Sequence, residues 1–295
     1  MKRKITFKLY EWKNMLSGRM PLLIYGARQV GKTFEMREFG ALYYKNTIYV
    51  NFETDERIGK YFETDIHADH VISVLEKYYQ SKIVPENTLI IFDEIQMCER
   101  ALTSLKYFSE EAPEYYVMAA ESLLGVAVNR EKYSFPVGKV QMLTMYPMDL
   151  EEYLWANGVQ KSTIQYLKDC YETGTPVTDA IHQTMCKLLY SYIVVGGMPD
   201  VVQTYVNTHD IAQVIARQTE ILELYRLDIA QYAQGSEKVK VRAIFDSIPS
   251  QLNDKKRRFV LAALDSNGRQ LRYADSFNWL CDAGVALPCY NVEEP

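Results

Sequence analysis

The sequence predicts an α/β fold, a parallel sheet flanked by helices, followed by a mostly helical C-terminal region. Three observations lead there. Short apolar and β-branched runs alternate with segments of helical periodicity through residue 156, the rhythm of a parallel sheet with right-handed crossovers. Between one such run and one such segment stands Gly26-Ala27-Arg28-Gln29-Val30-Gly31-Lys32-Thr33, which fits the phosphate-loop pattern G-x-x-x-x-G-K-[ST] at every fixed position. Beyond residue 156 strand-like runs stop and helical stretches follow one another.

With 295 residues, 48% of them hydrophobic, the chain has room for one large domain or two smaller ones around a real core. A net charge of −5 excludes a global basic field that would draw the protein to nucleic acid or anionic membrane. No segment approaches a membrane-spanning length. The basic start, Met1 to Thr6, runs into the charged stretch Phe7 to Lys13 and does not read as a signal peptide. The five cysteines are scattered, odd in number and never in a C-x-x-C pair, so reduced thiols and a cytoplasmic location are expected.

Residues 1–19 read as a helix that turns Leu9, Trp12, Met15 and Leu16 inward. Met20 to Tyr25 reads as a short buried strand, and Thr33 to Phe39 as the opening of a helix. The loop between them is expected to bind a nucleotide, ATP with Mg²⁺. Gly26 and Gly31 let the chain turn its backbone N–H groups inward around phosphate oxygens. The helix start adds further N–H groups and the positive end of its dipole. Lys32 then places a cation against the β- and γ-phosphates, and the Thr33 hydroxyl is a ligand for Mg²⁺. Residues 47–53 read as a second strand and Thr54 to Ala68 as a polar, irregular loop. In that loop Asp65, His67, Asp69 and His70 have metal-ligand chemistry, but Asp69 capping the next helix is the favoured reading. That helix carries Val71, Val74, Leu75, Tyr78 and Tyr79 inward and ends before Pro85.

Thr88-Leu89-Ile90-Ile91-Phe92-Asp93-Glu94 is a strand buried on both faces that ends in two acids. Ligands bind at the carboxyl ends of such strands, so Asp93 is expected beside Thr33 at Mg²⁺. Glu94 is expected to orient and deprotonate the attacking water. Ala101 to Ser109 reads as a helix and residues 115–120 as a strand with Glu121 and Ser122 at its end. Ser122 is a candidate γ-phosphate sensor; its alternative is a helix N-cap before Leu123-Leu124-Gly125. Val140 to Met145 completes the strands, and Asp149 with Glu152 forms a capping box opening a helix from Leu150 to Ala156.

Further on, residues 164–170 and 181–195 read as helices, residues 196–199 as a turn, and residues 210–233 as a long helix with the stripe Ile211, Val214, Ile215, Leu222, Tyr225, Ile229 and Tyr232. From Glu237 to Tyr273 nine basic residues face four acidic ones, a local charge of +5 on an otherwise acidic chain. A solvated face is the favoured reading there and a nucleic-acid contact the alternative. The expected division is 1–156, an ATP-binding domain; 157–235, a helical region; and 236–295, a basic C-terminal region.

GARQVGKT, IYVNFE at 48–53, IIFDEIQ at 90–96, ESLLG at 121–125, FPVGKV and PMDLEEYL within 135–154 and GGMP at 196–199 occur in this order. The set resembles prokaryotic AAA-type ATP-binding proteins, which pair an archaeal-like P-loop ATPase domain with a C-terminal domain of unknown function. The resemblance implies a Lys32–Thr33–Asp93–Glu94 nucleotide site and a winged-helix-like C-terminal part. It also implies an arginine from a neighbouring subunit of a homo-oligomer, with Arg100, Arg130, Arg217 and Arg226 as candidates. Glu121 stands where the family often has glycine, a charge expected to weaken binding or retune hydrolysis. The chain stops where relatives continue, so an incomplete second domain is expected. An Mg²⁺-dependent ATPase is the first functional expectation. The alternatives are a slow nucleotide-dependent switch acting on a protein or DNA partner, and a DNA-binding module using Lys238 to Arg272.

Overall fold

The structure, a computed structural model, describes residues 1–122, 136–233, 235–254, 259–260 and 273–289. Its strands are β1 (Leu22–Gly26), β2 (Asn46–Asn51), β3 (Thr88–Asp93), β4 (Tyr116–Ser122) and β5 (Gln141–Thr144). They form one parallel sheet in the order β2-β3-β4-β1-β5. The helices of the first part are α1 (Ile5–Lys13), α2 (Lys32–Tyr43), α3 (Glu56–Thr64), α4 (Ala68–Tyr79), α5 (Glu99–Glu111) and α6 (Leu150–Ala156). Those that follow are α7 (Lys161–Thr173), α8 (Asp179–Val195), α9 (Pro199–Thr208), α10 (Ile211–Tyr232), α11 (Gly235–Leu252) and α12 (Ala274–Asp282).

Strand alternation divides the core into two layers. Leu22, Ile24, Leu89, Ile91, Met118 and Ala120 point to the face covered by α1, α2 and the C-terminal helices. Leu23, Ile90, Phe92, Val117 and Ala119 point to the face covered by α3, α4 and α5. Because both faces are covered, β1, β3 and β4 are buried at every residue, which is why they read as unbroken apolar runs. β5 lies at an edge and alternates between half-buried and exposed.

Several expectations need correction. The stretch read as irregular after β2 holds α3, which seats Ile58 and Phe62, one turn apart, in the second layer. Asp69 does not cap α4: the Asp65 carboxylate accepts the backbone N–H of His67 at 3.0 Å, and His67 pairs with Glu111 at 2.7 Å. α1 stops at Lys13, so Leu16 lies past its end, fully exposed, while Ile5, Leu9 and Trp12 are buried. On α10 the buried stripe is Val214, Ile221, Tyr225 and Ile229; Ile211, Ile215 and Leu222 face outward. Glu121 and Ser122 are the last residues of β4 itself.

The C-terminal helices continue the first core layer. Val195, Val201, Val214, Ile221, Ile229 and Ile244 belong to the same buried cluster as Leu22 and Ile24. The described residues after α6 are helical or irregular and contain no strand. Of the basic stretch, Lys240 pairs with Glu237 and Arg242 with Asp246 on α11. Lys255, Lys256, Arg257, Arg258, Arg269 and Arg272 lie outside the described residues, as do Leu123, Leu124, Gly125 and Arg130.

The capping box forms as expected, and its Glu152 does more than cap. It accepts the backbone N–H of Lys4 at 2.6 Å and of Asp149 at 3.3 Å, and lies 3.2 Å from Arg3 Nε in an ion pair with both partners 6% exposed. Arg3 in turn donates to Val30 O at 3.0 Å and Tyr146 O at 2.6 Å. The N-terminal tail is thereby tied to the back of the glycine loop. Removing one member of a buried pair leaves the other charge uncompensated. Glu152→Ala is therefore expected to cost about 3 kcal/mol of stability in urea denaturation, and Glu152→Gln, which keeps the acceptor oxygen, less than half of that.

Candidate functional site

The loop from Gly26 to Thr33 lies at the carboxyl ends of β1, β3 and β4, between β1 and the first turn of α2. Its glycines have separate reasons. A Cβ at Gly26 would stand 2.3 Å from Met145 O, so the linker after β5 leaves room for hydrogen only. Gly31 takes φ +96°, a conformation that side chains disfavour, and from there the chain enters α2.

Lys32 is 7% exposed and donates to Gly26 O at 2.8 Å and Ala27 O at 2.9 Å. Burial pulls its pKa down to about 8; the charges of Glu94 and Asp93 oppose that shift, as does that of Glu121. Glu121, expected only as a disturbance, thus favours the charged lysine. Thr33 Oγ1 donates to Asp93 Oδ2 at 2.7 Å, and the Tyr49 hydroxyl donates to the same oxygen at 2.7 Å. Glu94 N donates to Asp93 Oδ1 at 3.1 Å, which fixes the carboxylate 1% exposed at the strand end. Glu94 itself takes φ +50°, the left-handed region, at the start of a one-turn helix from Ile95 to Met97. Leaving β3 in this sharp turn, it is joined through the Gln96 side-chain amide to Ser122, whose Oγ accepts from Gln96 Nε2 at 3.1 Å. Lys32, Thr33, Asp93, Glu94 and Ser122 are therefore brought to one place.

The donor set fits the expected ligands. A buried ammonium inside a glycine loop and beside a helix N-terminus suits phosphate. The Thr33 hydroxyl and Asp93 carboxylate, held against each other, are hard oxygens of the kind Mg²⁺ takes from a protein while phosphate and water complete its shell. Among the described residues no cluster of three or more His, Cys, Asp or Glu side chains forms a further metal site.

Arg28 points out of the loop toward the C-terminal helices. Its guanidinium lies 2.7 Å from Asp228 of α10 and 3.6 Å from Glu53 after β2, and its backbone oxygen accepts the Tyr225 hydroxyl at 2.8 Å. Asp228 is 4% exposed; burial raises its pKa, Arg28 opposes that, and Glu94 and Glu53 add to it. Gln29, Val30 and Ala27 complete the loop: Gln29 takes φ +63°, Val30 is fully buried and Ala27 nearly so. A cleft of about 360 Å³ opens beside Gly31, lined by Met1, Arg3, Phe34, Met145 and Pro199 among others. A second, of about 780 Å³, lies beyond Glu53 and Gln96 and includes Arg100. Arg100 donates to Phe62 O, Arg217 pairs with Asp200 and Glu220, and Arg226 pairs with Asp246 and Glu223. Each is engaged within its own chain.

Tyr49, Gln96, Tyr225, Asp228 and Arg3 escaped assignment from the sequence. Gln96 and Tyr49 carried a signal, as members of the IIFDEIQ and IYVNFE runs; the others owe their place to contacts between distant parts of the chain.

Residues 18–154 match the AAA domain family, and residues 186–295 match a domain of unknown function. No curated protein matches the chain. Among solved structures, C. elegans PCH-2 aligns at 9% identity and TM-score 0.32 over 60% of this chain and 47% of that chain, less than half its length. AMPPCP-bound DnaA from Aquifex aeolicus aligns at 11% identity and TM-score 0.40 over 97% of this chain and 94% of that chain. Both scores are too low to bear on function. The first match takes in β1 to β5, the phosphate-loop motif and Asp93, so this part of the chain is similar to AAA domains; the match to the domain of unknown function begins within α8 and takes in the helices that follow.

Proposed function

We propose that this protein binds ATP with Mg²⁺ in the loop from Gly26 to Thr33 and hydrolyses its γ-phosphate. The observation that carries the reading is the Thr33–Asp93 hydrogen bond at 2.7 Å, which joins the phosphate loop to the end of β3 beside the buried Lys32. The backbone N–H groups of the loop cradle the phosphates, and Lys32 exchanges its bonds to Gly26 O and Ala27 O for phosphate oxygens. Thr33 and Asp93 hold Mg²⁺, which supplies charge neutralisation on the transferred phosphoryl group. Glu94 takes the proton of the attacking water, and Ser122 contacts the γ-phosphate. The cleft beside Gly31 and Phe34 receives the nucleoside.

One observation favours the second reading, a slow switch that acts on a protein or DNA partner. Arg28 and its backbone oxygen tie the loop to Asp228 and Tyr225 of α10, so phosphate entering the loop meets a contact held by the C-terminal region. Under this reading, hydrogen exchange in α10 changes on ATP binding while turnover stays low. Unchanged exchange sinks it.

Steady-state hydrolysis with Mg²⁺ over a range of protein concentrations tests the first reading. Turnover is expected to fall at least about 100-fold in Glu94→Gln with ATP still bound, and turnover per chain that rises with concentration marks a site shared in a homo-oligomer. Binding without turnover above the variant's background overturns it.

Proton linkage gives an independent check. With Lys32 at about 8 in the free protein and pushed up by bound phosphate, ATP binding is expected to take up about 0.9 proton at pH 9 and about 0.1 at pH 7. Calorimetry in buffers of different ionisation enthalpy reads this uptake, and Lys32→Met abolishes it.

Arg28→Ala strands a buried carboxylate. A cost of about 3 kcal/mol is expected at pH 7.5. Because the folded-state pKa of Asp228 is raised, the stability tied to its neutral form is present at low pH and lost as pH rises through that pKa. The cost therefore shrinks toward pH 5 in urea denaturation, while Asp228→Asn, which leaves Arg28 with Glu53 and solvent, costs about 1 kcal/mol at either pH.

A further inference from the structure

Gln96 sits between the two groups that the hydrolytic reading places at the γ-phosphate. Its amide nitrogen has two protons, and both are used: one on Glu94 Oε2, the other on Ser122 Oγ at 3.1 Å. Ser122 therefore accepts from Gln96, and its own proton points elsewhere. The amide oxygen, Gln96 Oε1, is buried and accepts no hydrogen bond from any of the described residues. It is bonded to the same carbon as the nitrogen that donates to Glu94. A buried amide carbonyl without a donor is unfavourable. The residue also lines the 780 Å³ cleft that runs from Glu53 to Arg100.

A water molecule has two protons and needs one free lone pair to attack phosphorus. Two acceptors on one hydrogen-bonded pair of side chains, the Glu94 carboxylate and Gln96 Oε1, can take both protons and leave the lone pair facing outward. We propose that Gln96 is a catalytic residue, the second group on the attacking water, and that its amide N–H groups lock Glu94 and Ser122 into one array. The proposal rests on the hydrolytic reading. In the step, the water oxygen forms a bond to the γ-phosphorus as the bond from that phosphorus to the β-phosphate oxygen breaks. One water proton passes to the Glu94 carboxylate, the other stays on the phosphate product, and ADP leaves with the electron pair.

The test compares the full-length wild type with Gln96→Ala and Gln96→Glu by ATP affinity, single-turnover hydrolysis and the pH dependence of the rate. Both variants are expected to bind ATP within about threefold of wild type, which also shows that they fold, while Gln96→Ala hydrolyses about 100-fold more slowly. In Gln96→Glu two carboxylates meet at Glu94 and share a proton, so the acidic limb of the pH–rate profile moves to higher pH. A residue that only supports the fold would lower affinity and rate together and leave that limb in place. Wild-type turnover with Gln96→Ala within about threefold of it, or parallel loss of affinity and rate, overturns the role of Gln96 alone. ATP binding without wild-type turnover instead overturns the hydrolytic reading and takes this role with it.

Discussion

The buried ammonium of Lys32 organises the site and the elements around it. Lys32, 7% exposed, sits where the glycine loop meets α2, and burial lowers its pKa to about 8 from the 10.5 of a free lysine. Kept charged at neutral pH, it costs the fold on the order of 3 kcal/mol. The surroundings offset part of that. Gly26 O and Ala27 O accept its protons, and Asp93, Glu94 and Glu121 supply negative charge from the ends of β3 and β4. The sheet order brings those strand ends together, with β4 between β3 and β1. A loop that closes on itself around a desolvated ammonium is held ready for an anion, since phosphate oxygens are better acceptors for that charge than neutral carbonyls.

The same constraint explains how the C-terminal region is attached. α10 places Tyr225 and Asp228 on Arg28, in the loop itself, and Arg3 reaches Val30 through the N-terminal tail. Two distant parts of the chain thus pin the loop at Arg28 and at Val30, just ahead of Lys32. Their anchors lie in the cluster that contains Leu22 and Ile24 of β1 together with Ile221, Ile229 and Ile244 of the C-terminal helices. The residues matched by the domain of unknown function therefore share a core with the AAA domain instead of hanging from it by a linker.

What the sequence made legible was local. The glycine loop is legible because its two glycines stand at fixed places, one under Met145 O and one at a left-handed turn, and β3 announced itself because a strand covered on both faces carries an unbroken apolar run, here Leu89 to Phe92. The capping box at Asp149 and Glu152 was equally local. α3 was missed because its buried side is only Ile58 and Phe62 in a polar stretch, too little to stand out from a loop. On α10 periodicity gave the helix but not the inward side, since Ile211, Ile215 and Leu222 are as apolar as the residues that are buried. The role of Tyr49 depends on a carboxylate 44 residues away and that of Asp228 on an arginine 200 residues away. The first pairing is made by the topology of the sheet, the second by the packing of α10 on the loop, and neither can be read from one segment alone.

Strand order has a consequence for synthesis as well as for the finished molecule. β1 is the second-to-last strand of the sheet, and its neighbours are β4 and β5, which begin at residues 116 and 141. On a ribosome, Leu22 to Gly26 emerges first and must wait for about a hundred further residues before either hydrogen-bonding edge finds a partner. β2 and β3 pair in the meantime. For that interval an apolar strand-forming stretch of the nascent chain carries two open edges, the state in which strands recruit foreign ones. The step that completes the phosphate loop is thus also the one that ends the chain's exposure to misassembly.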